Sequence, residues 1–198
     1  ILSDSTWDDD CVVRYYNVKN AISDPSMFIN LWNRPLFTLL FFLPAQLGKN
    51  SIMMLMILIN AITSWYLFRA CKKTGLKNAW LIIPLFLFQA FYFSVSREAL
   101  TEPLAACLIA LAFYFYTDKK FLAFAITGAL LPLARLELSL LLVFWLIILL
   151  QNHKWKHILI LIVPTLLLNL TGAIIEGDIL WLYHETIGGE AAQNRYGH

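Results

Sequence analysis

The sequence predicts an all-α protein: a polytopic transmembrane helix bundle with short amphipathic or interfacial helices in its first outer loop. Three observations carry this. First, of 198 residues 60% are hydrophobic, 15% aromatic and only 14% charged, with a mean hydropathy of +0.66. Ordinary soluble domains are about 45–50% apolar and about 25% charged. A soluble fold of this size could not hide so much apolar surface, so the bilayer is the expected solvent. Second, six apolar stretches recur at residues 52–69, 79–95, 103–117, 121–134, 136–150 and 157–171. None alternates every second residue, which a membrane β-barrel would require. Third, the connectors between them alternate in charge, although the net charge is only +2.

The N-terminal segment, residues 1–51, is expected to form an outer-face loop. It opens on Ser3-Asp4-Ser5-Thr6-Trp7-Asp8-Asp9-Asp10. Residues 11–22 then read as a short amphipathic helix, broken by Asp24-Pro25. Segment 36–47, LFTLLFFLPAQL, is apolar but short and contains Pro44. Counting it as a span would reverse every later loop, so it reads as a re-entrant or interfacial helix on the outer leaflet.

Residues 52–171 hold the six expected spans. Several fall short of the ~20 residues that cross a hydrocarbon core, so their polar ends are expected in the interface. Trp65, Tyr66, Trp80, Tyr114, Tyr116 and Trp155 near the ends fit aromatic belts. Arg69, Lys72, Lys73 and Lys77 follow the first span; Lys119 and Lys120 follow the third; Lys154 and Lys156 follow the fifth. The positive-inside rule makes these turns cytoplasmic and places residues 1–51 and 172–198 outside. Of thirteen acidic residues only Asp118 then lies inside. Acidic residues do not set topology, so this bias asks for another cause, and a carboxylate-using site on the outer face supplies one.

No basic n-region or small-residue cleavage site marks a signal peptide. The chain is expected to be an N-terminal fragment of the functional protein, entered just after an earlier span, with 172–198 leading to a C-terminal part. Cys11, Cys71 and Cys107 fall outside, inside and within the membrane on this topology, too far apart for a disulfide, and no metal-ligand spacing appears.

Four polar motifs each admit a plain and a functional reading. Asp8-Asp9-Asp10 is either a solvated loop that caps the next helix, or a carboxylate group able to act as general base or to hold a divalent cation. Arg97-Glu98-Ala-Leu-Thr-Glu102-Pro103 joins two spans; Glu98 and Glu102 share a helical face, and Pro103 suits a first helical turn. It is a polar turn, or a site that accepts the cost of glutamates near the bilayer. In Pro132-Leu-Ala-Arg135-Leu-Glu137 the two charges either pair with each other through a turn, or Arg135 faces an outer cavity and binds phosphate with its planar fork. In Asn30-Leu-Trp32-Asn33-Arg34-Pro35, Trp32 and Arg34 either anchor the next segment at the headgroups or line a sugar or phosphate pocket. His184-Glu185 lacks a second zincin histidine, and Gly48-Lys49 lacks the upstream glycine of a P-loop. Asn169-Leu-Thr171 matches a glycosylation sequon close to the membrane.

The order of these parts resembles the membrane glycosyltransferases of the GT-C superfamily, which take a sugar from a polyprenyl-phosphate donor. The resemblance runs over an outer acidic group with a short helix, NRPLFTLLFFLPAQLG, a span, TEPLAACLIALAFYFY, PLARLELSLLL and GDILWLY, which is nearly the whole chain. It implies that the acidic pair falls on Asp8 and Asp9, with Asp10 as the other candidate partner, acting as base toward the acceptor or helping to hold a metal. It implies that Arg135 meets the donor phosphate. Three aspartates leave the register of the pair open.

Two classes of function stand against this one: a transporter or lipid flippase, and a non-catalytic membrane subunit. No carboxylate, lysine or histidine lies mid-span, which argues against a proton-coupled pump. As a glycosyltransferase, the protein is expected in a bacterial inner membrane with its site facing the periplasm. Its partners would be a polyprenyl-phosphate-linked sugar, a glycan, lipid or protein acceptor, and the bilayer, with no nucleic acid. Arg135, Arg97 and Arg34 are the expected phosphate contacts, Glu98, Glu102 and Glu137 further substrate-binding groups, and Tyr16, Trp32 and Tyr196 the rings that stack on sugar.

Overall fold

A computed structural model describes Trp7 and residues 9–188 of the chain. The described residues are helical and contain no strand. Helix α1 (Asp9–Asn20) starts on Asp9 and Asp10 and ends on Lys19, charges that complement the helix dipole. A 3-10 turn, Pro25–Phe28, follows; Asp24 caps it by accepting from the Ser26 amide at 3.1 Å and hydroxyl at 2.6 Å. Helix α2 (Pro35–Gln46) begins with proline, whose missing N–H costs nothing in the first turn.

Among the described residues only α3 (Lys49–Lys73) and α9 (Trp155–Glu176) are long and apolar enough to cross a membrane by length and composition. With 25 and 22 residues they run about 37 and 33 Å, against a core of about 30 Å. Helices α6 (Glu102–Thr117) and α7 (Phe121–Ala134) are shorter, about 24 and 21 Å. The stretch expected as one span over 79–95 is not a continuous helix. It is a 3-10 turn, then α4 (Ile82–Leu87) and α5 (Ala90–Val95), broken at Phe88–Gln89. Gln89 leaves the helical region and its side chain accepts from the Tyr92 amide, starting a new helix. Likewise residues 136–141 are 3-10 before α8 (Leu142–Gln151) begins, because Arg135 is extended (φ −155°, ψ 116°). Gly177 closes α9 in the left-handed region, and α10 (Trp181–Tyr183) follows.

Two cross-links set the register of α3 on α6. Arg69 meets the Tyr114 hydroxyl, and Lys73 pairs with Asp118; both join residues 45 apart. Carried back along two parallel helices, this offset puts Glu102 level with Ile57, so roughly two turns of α3 rise above the start of α6. Helices α1 and α2 pack around that raised part, burying Cys11, Val18, Phe37, Phe41, Ala45, Ile52 and Met56. The segment expected to be re-entrant or interfacial is thus packed on one face, through Phe37, Thr38 and Phe41, while Leu39, Leu40 and Leu43 point outward.

Lower down, α6 and α7 bury small residues against each other and their neighbours: Ala105, Ala112, Ala125, Gly128, Ala129 and Ala134. In lipid, where burial of apolar surface drives little, such residues let backbones approach and pack. Helix α9 buries only Leu161, Leu168 and Gly172 and exposes Leu159, Leu167, Leu170 and Ile174. A continuous apolar face of this kind is what a bilayer covers.

Gly128 makes room for Trp145, whose indole stacks on Phe124 (centroids 5.2 Å apart, 9° between planes) and donates to the Phe124 carbonyl at 2.9 Å. A Cβ at position 128 falls on the indole ring. Gly128→Ala should therefore displace Trp145 and cost about 1–3 kcal/mol, seen as a melting temperature lower by roughly 2–12 °C in detergent. An unchanged melting temperature would contradict this packing of α8 on α7.

Candidate functional site at the arginine-and-carboxylate end

Charged connectors that are far apart in sequence meet at one end of the bundle. Arg135 donates through Nη1 to Glu102 Oε1 at 2.5 Å, joining the end of α7 to the start of α6. Its Nε lies 3.7 Å from Glu137 Oε2. The other oxygen of Glu137 accepts from Arg34 Nη2 at 2.7 Å, which ties in the segment before α2. Arg34, Glu102, Arg135 and Glu137 thus form one chain of alternating charge.

Arg34 is held in a costly conformation. Its φ is +68°, in the left-handed region that non-glycine residues rarely adopt. Such strain, of order 1–3 kcal/mol, persists only where the surroundings over-determine it. They do so here: the Asn33 amide donates to Asn30 Oδ1 at 2.9 Å, Asn33 Nδ2 to Thr38 Oγ1 at 2.6 Å, and Arg34 Nη1 to the Leu31 carbonyl at 2.9 Å.

Arg34 and Glu137 line a cavity of about 660 Å³. Thr165 and Asn169 of α9 and Tyr183 of α10 form its other polar wall, and Leu166 and Leu136 contribute apolar surface. Asn169 positions the tail by accepting from the Leu182 amide and donating to the Ile179 carbonyl, both at 3.0 Å. A smaller pocket of about 190 Å³ is lined by Asn30, Trp32, Glu176, Trp181 and Glu185.

Asp9 and Asp10 lie exposed in the first turn of α1. That turn meets the connector that leads into Glu102: the Cys11 thiol lies 3.9 Å from Glu98 Oε2. Among the described residues no three His, Cys, Asp or Glu side chains gather as a cation site. Arg97 stands in a separate pocket of about 300 Å³ with Asn60, Phe88 and Ser96, its guanidinium over the Phe93 ring at 5.5 Å. Tyr16 is exposed and meets Tyr15 edge-on at 5.3 Å. Asp8 and Tyr196 lie outside the described residues.

Arg14 escaped the reading of the sequence. It is 7% exposed, on the buried stripe of α1 formed by Cys11, Arg14 and Val18. Its guanidinium lies over Trp32 at 5.0 Å and Phe37 at 5.6 Å. Burial pushes its pKa down; Glu102 opposes this and Arg34 adds to it. An arginine remains charged even so. The 3–4 spacing of Cys11, Arg14 and Val18 was the available signal: a lone cation among residues that face the core.

The opposite end carries the lysines. Asp118 bridges Lys73 and Lys120, the latter at 2.8 Å, and Arg69 lies over the Tyr114 ring at 5.6 Å.

No curated protein and no solved structure matches the chain. Residues 7–186, which take in both the cluster and the cavity, match the EpsG family. Apolar helices with a lipid-facing surface and this match over most of the chain lead to one conclusion: the protein belongs to the EpsG family, and is a membrane protein of glycosyltransferase-like type.

Proposed function

We propose that the protein is a GT-C-type glycosyltransferase of a bacterial inner membrane. It moves a sugar from a polyprenyl-phosphate donor to a glycan, lipid or protein acceptor on the periplasmic face. One observation carries the reading: the Arg34–Glu137 and Arg135–Glu102 pairs stand together at one end of the bundle, and the first borders a cavity of about 660 Å³ to which Leu136, Leu166, Leu180 and Leu182 add apolar surface. A donor with a charged phosphate and a hydrocarbon tail needs both features. The tail would reach the cavity along the exposed apolar surface of α9 and the phosphate would stop at the arginines.

The acceptor hydroxyl attacks the anomeric carbon while the bond from that carbon to the phosphate oxygen breaks. The phosphate leaves with the electron pair, and the hydroxyl proton passes to a carboxylate, Asp9 or its neighbour Asp8. Arg135, with Arg34, meets the charge that grows on the phosphate. A fixed donor aimed at such charge typically contributes about 2.7–4 kcal/mol to the transition state. Glu102 and Glu137 keep the guanidinium groups oriented until the phosphate competes for them.

The full-length protein, given radiolabelled polyprenyl-phosphate sugars and membrane acceptors, should form a new glycosidic bond; substrate movement across sealed vesicles without one would indicate a transporter instead. Asp9→Asn should abolish transfer while the protein still folds and inserts, because an exposed carboxylate at a helix start is worth only about 0.3–1 kcal/mol. Full activity in both Asp9→Asn and Asp8→Asn would remove the base from this scheme.

Arg135→Ala should weaken donor binding and slow transfer, on the order of 100-fold if the transition-state contact is lost. Unchanged donor affinity and rate would exclude Arg135 from the phosphate site. Sidedness has its own check: in an Asp9→Cys variant the new thiol should react with impermeant reagent added from the periplasmic side, and labelling from the cytosol alone would refute the orientation.

A further inference from the structure

Arg14 is almost completely buried, yet no hydrogen bond or ion pair reaches its guanidinium among the described residues, and its Nε is buried without a partner. A buried cation in this state is costly, and structures normally pair it. Its two aromatic neighbours, Trp32 and Phe37, lie against the group but supply no acceptor. Glu102 acts electrostatically on it, but Oε1 of Glu102 is taken by Arg135, and Oε2 is itself buried without a partner. Trp32 and Phe37 flank Arg34 in the chain, so Arg14 stands against the segment that carries the cavity-lining Arg34.

We propose that Arg14 is a phosphate-binding residue of this site, clamping an anionic phosphate group together with Arg34 from a fixed position on Trp32 and Phe37. Two guanidinium groups near each other repel until an anion with several oxygens enters between them, and the planar fork of arginine suits that anion. A hydroxyl next to the phosphate would satisfy Glu102 Oε2, as a glycosyl phosphate allows. The identity of the carrier rests on the donor reading above; the anion site does not.

The test uses full-length protein in nanodiscs, with polyprenyl phosphate, inorganic phosphate and neutral polyprenol as probes. Arg14→Gln should weaken polyprenyl phosphate binding roughly tenfold to a hundredfold, the range of a lost charge-assisted hydrogen bond. Neutral polyprenol should bind both forms equally. Without ligand, Arg14→Gln should melt no lower than the wild type, because it removes a buried charge that has no partner. Arg14→Lys should not restore binding, since an ammonium neither stacks on Trp32 nor presents a fork. Competition by inorganic phosphate would assign affinity to the phosphate alone, and its absence would make the lipid tail part of the ligand. Equal polyprenyl phosphate affinity in Arg14→Gln would overturn the proposal. So would a ligand-free melting temperature well below the wild type, which would reveal a resident ion pair with Glu102. Arg14-dependent binding without glycosyl transfer would sink the transferase reading alone. Transfer with undiminished binding in Arg14→Gln would sink the anion site alone.

Discussion

The pairing of Arg34 and Arg135 with Glu137 and Glu102 is the constraint that the rest of this end depends on. Four residues from three connectors are locked together, and with them the start of α2, the start of α6 and the end of α7. Were these pairs fully exposed, they would be worth about 0–1 kcal/mol each. They are not: Arg34 is 12% exposed and Arg135 29%, while Glu137 at 57% remains open to solvent. Their weight lies in what their loss leaves behind. Removing a carboxylate strands a partly buried guanidinium, and that penalty exceeds the net gain of forming the pair. The same argument explains why an arriving phosphate can compete. It replaces one anion by another and leaves no cation bare.

The lengths of the helices decide where this cluster sits. If α6 and α7 spanned as far as α3, Glu102 and Arg135 would stand at the tip of the bundle in open water. Their shortness recesses the mouth by roughly two turns below the start of α3, and α1 and α2 fill the space beside that raised segment. Charges in such a recess, screened by protein on several sides, act on each other more strongly than in water. The break at Phe88–Gln89 belongs to the same economy of length. The Tyr92 hydroxyl donates to Asn60 Oδ1, while Asn60 Nδ2 donates to the Ser96 carbonyl at 2.6 Å, so α5 is fastened to the middle of α3 rather than running its full height.

The helical class and most of the apolar segments were legible, because hydropathy and proline placement are local signals. The break inside 79–95 was marked only by Gln89, a mild residue whose effect depends on its cap to the Tyr92 amide and on Asn60 across the bundle, while Pro84 lies in the first turn of α4 and not at the break. The charged motifs were legible as motifs but not as partners. Arg135 and Glu137 do approach each other at 3.7 Å, yet each has a shorter bond to a residue of another connector. Nothing within one connector announces which other connector will pack against it. The cavity wall from Asn169 and Tyr183 was hidden for the same reason, and Asn169 stood out only as a sequon.

The two ends also differ in the kind of cation they use. Arg14, Arg34, Arg97 and Arg135 lie at the carboxylate end, and Lys72, Lys73, Lys77, Lys119, Lys120, Lys154 and Lys156 with Arg69 at the other. Lys19 and Lys49, both exposed, belong to the cap formed by α1, α2 and the start of α3. The positive-inside rule counts lysine and arginine alike, so topology alone does not call for this sorting. Solvation does. An ammonium is compact and strongly hydrated, and suits a rim open to water. A guanidinium is more weakly hydrated, stacks on aromatic faces and presents a rigid fork, so it can be carried into a half-buried site and still hold an anion. Arg14 on Trp32 is the extreme case, a cation placed where a lysine would have been stripped of water with nothing in return.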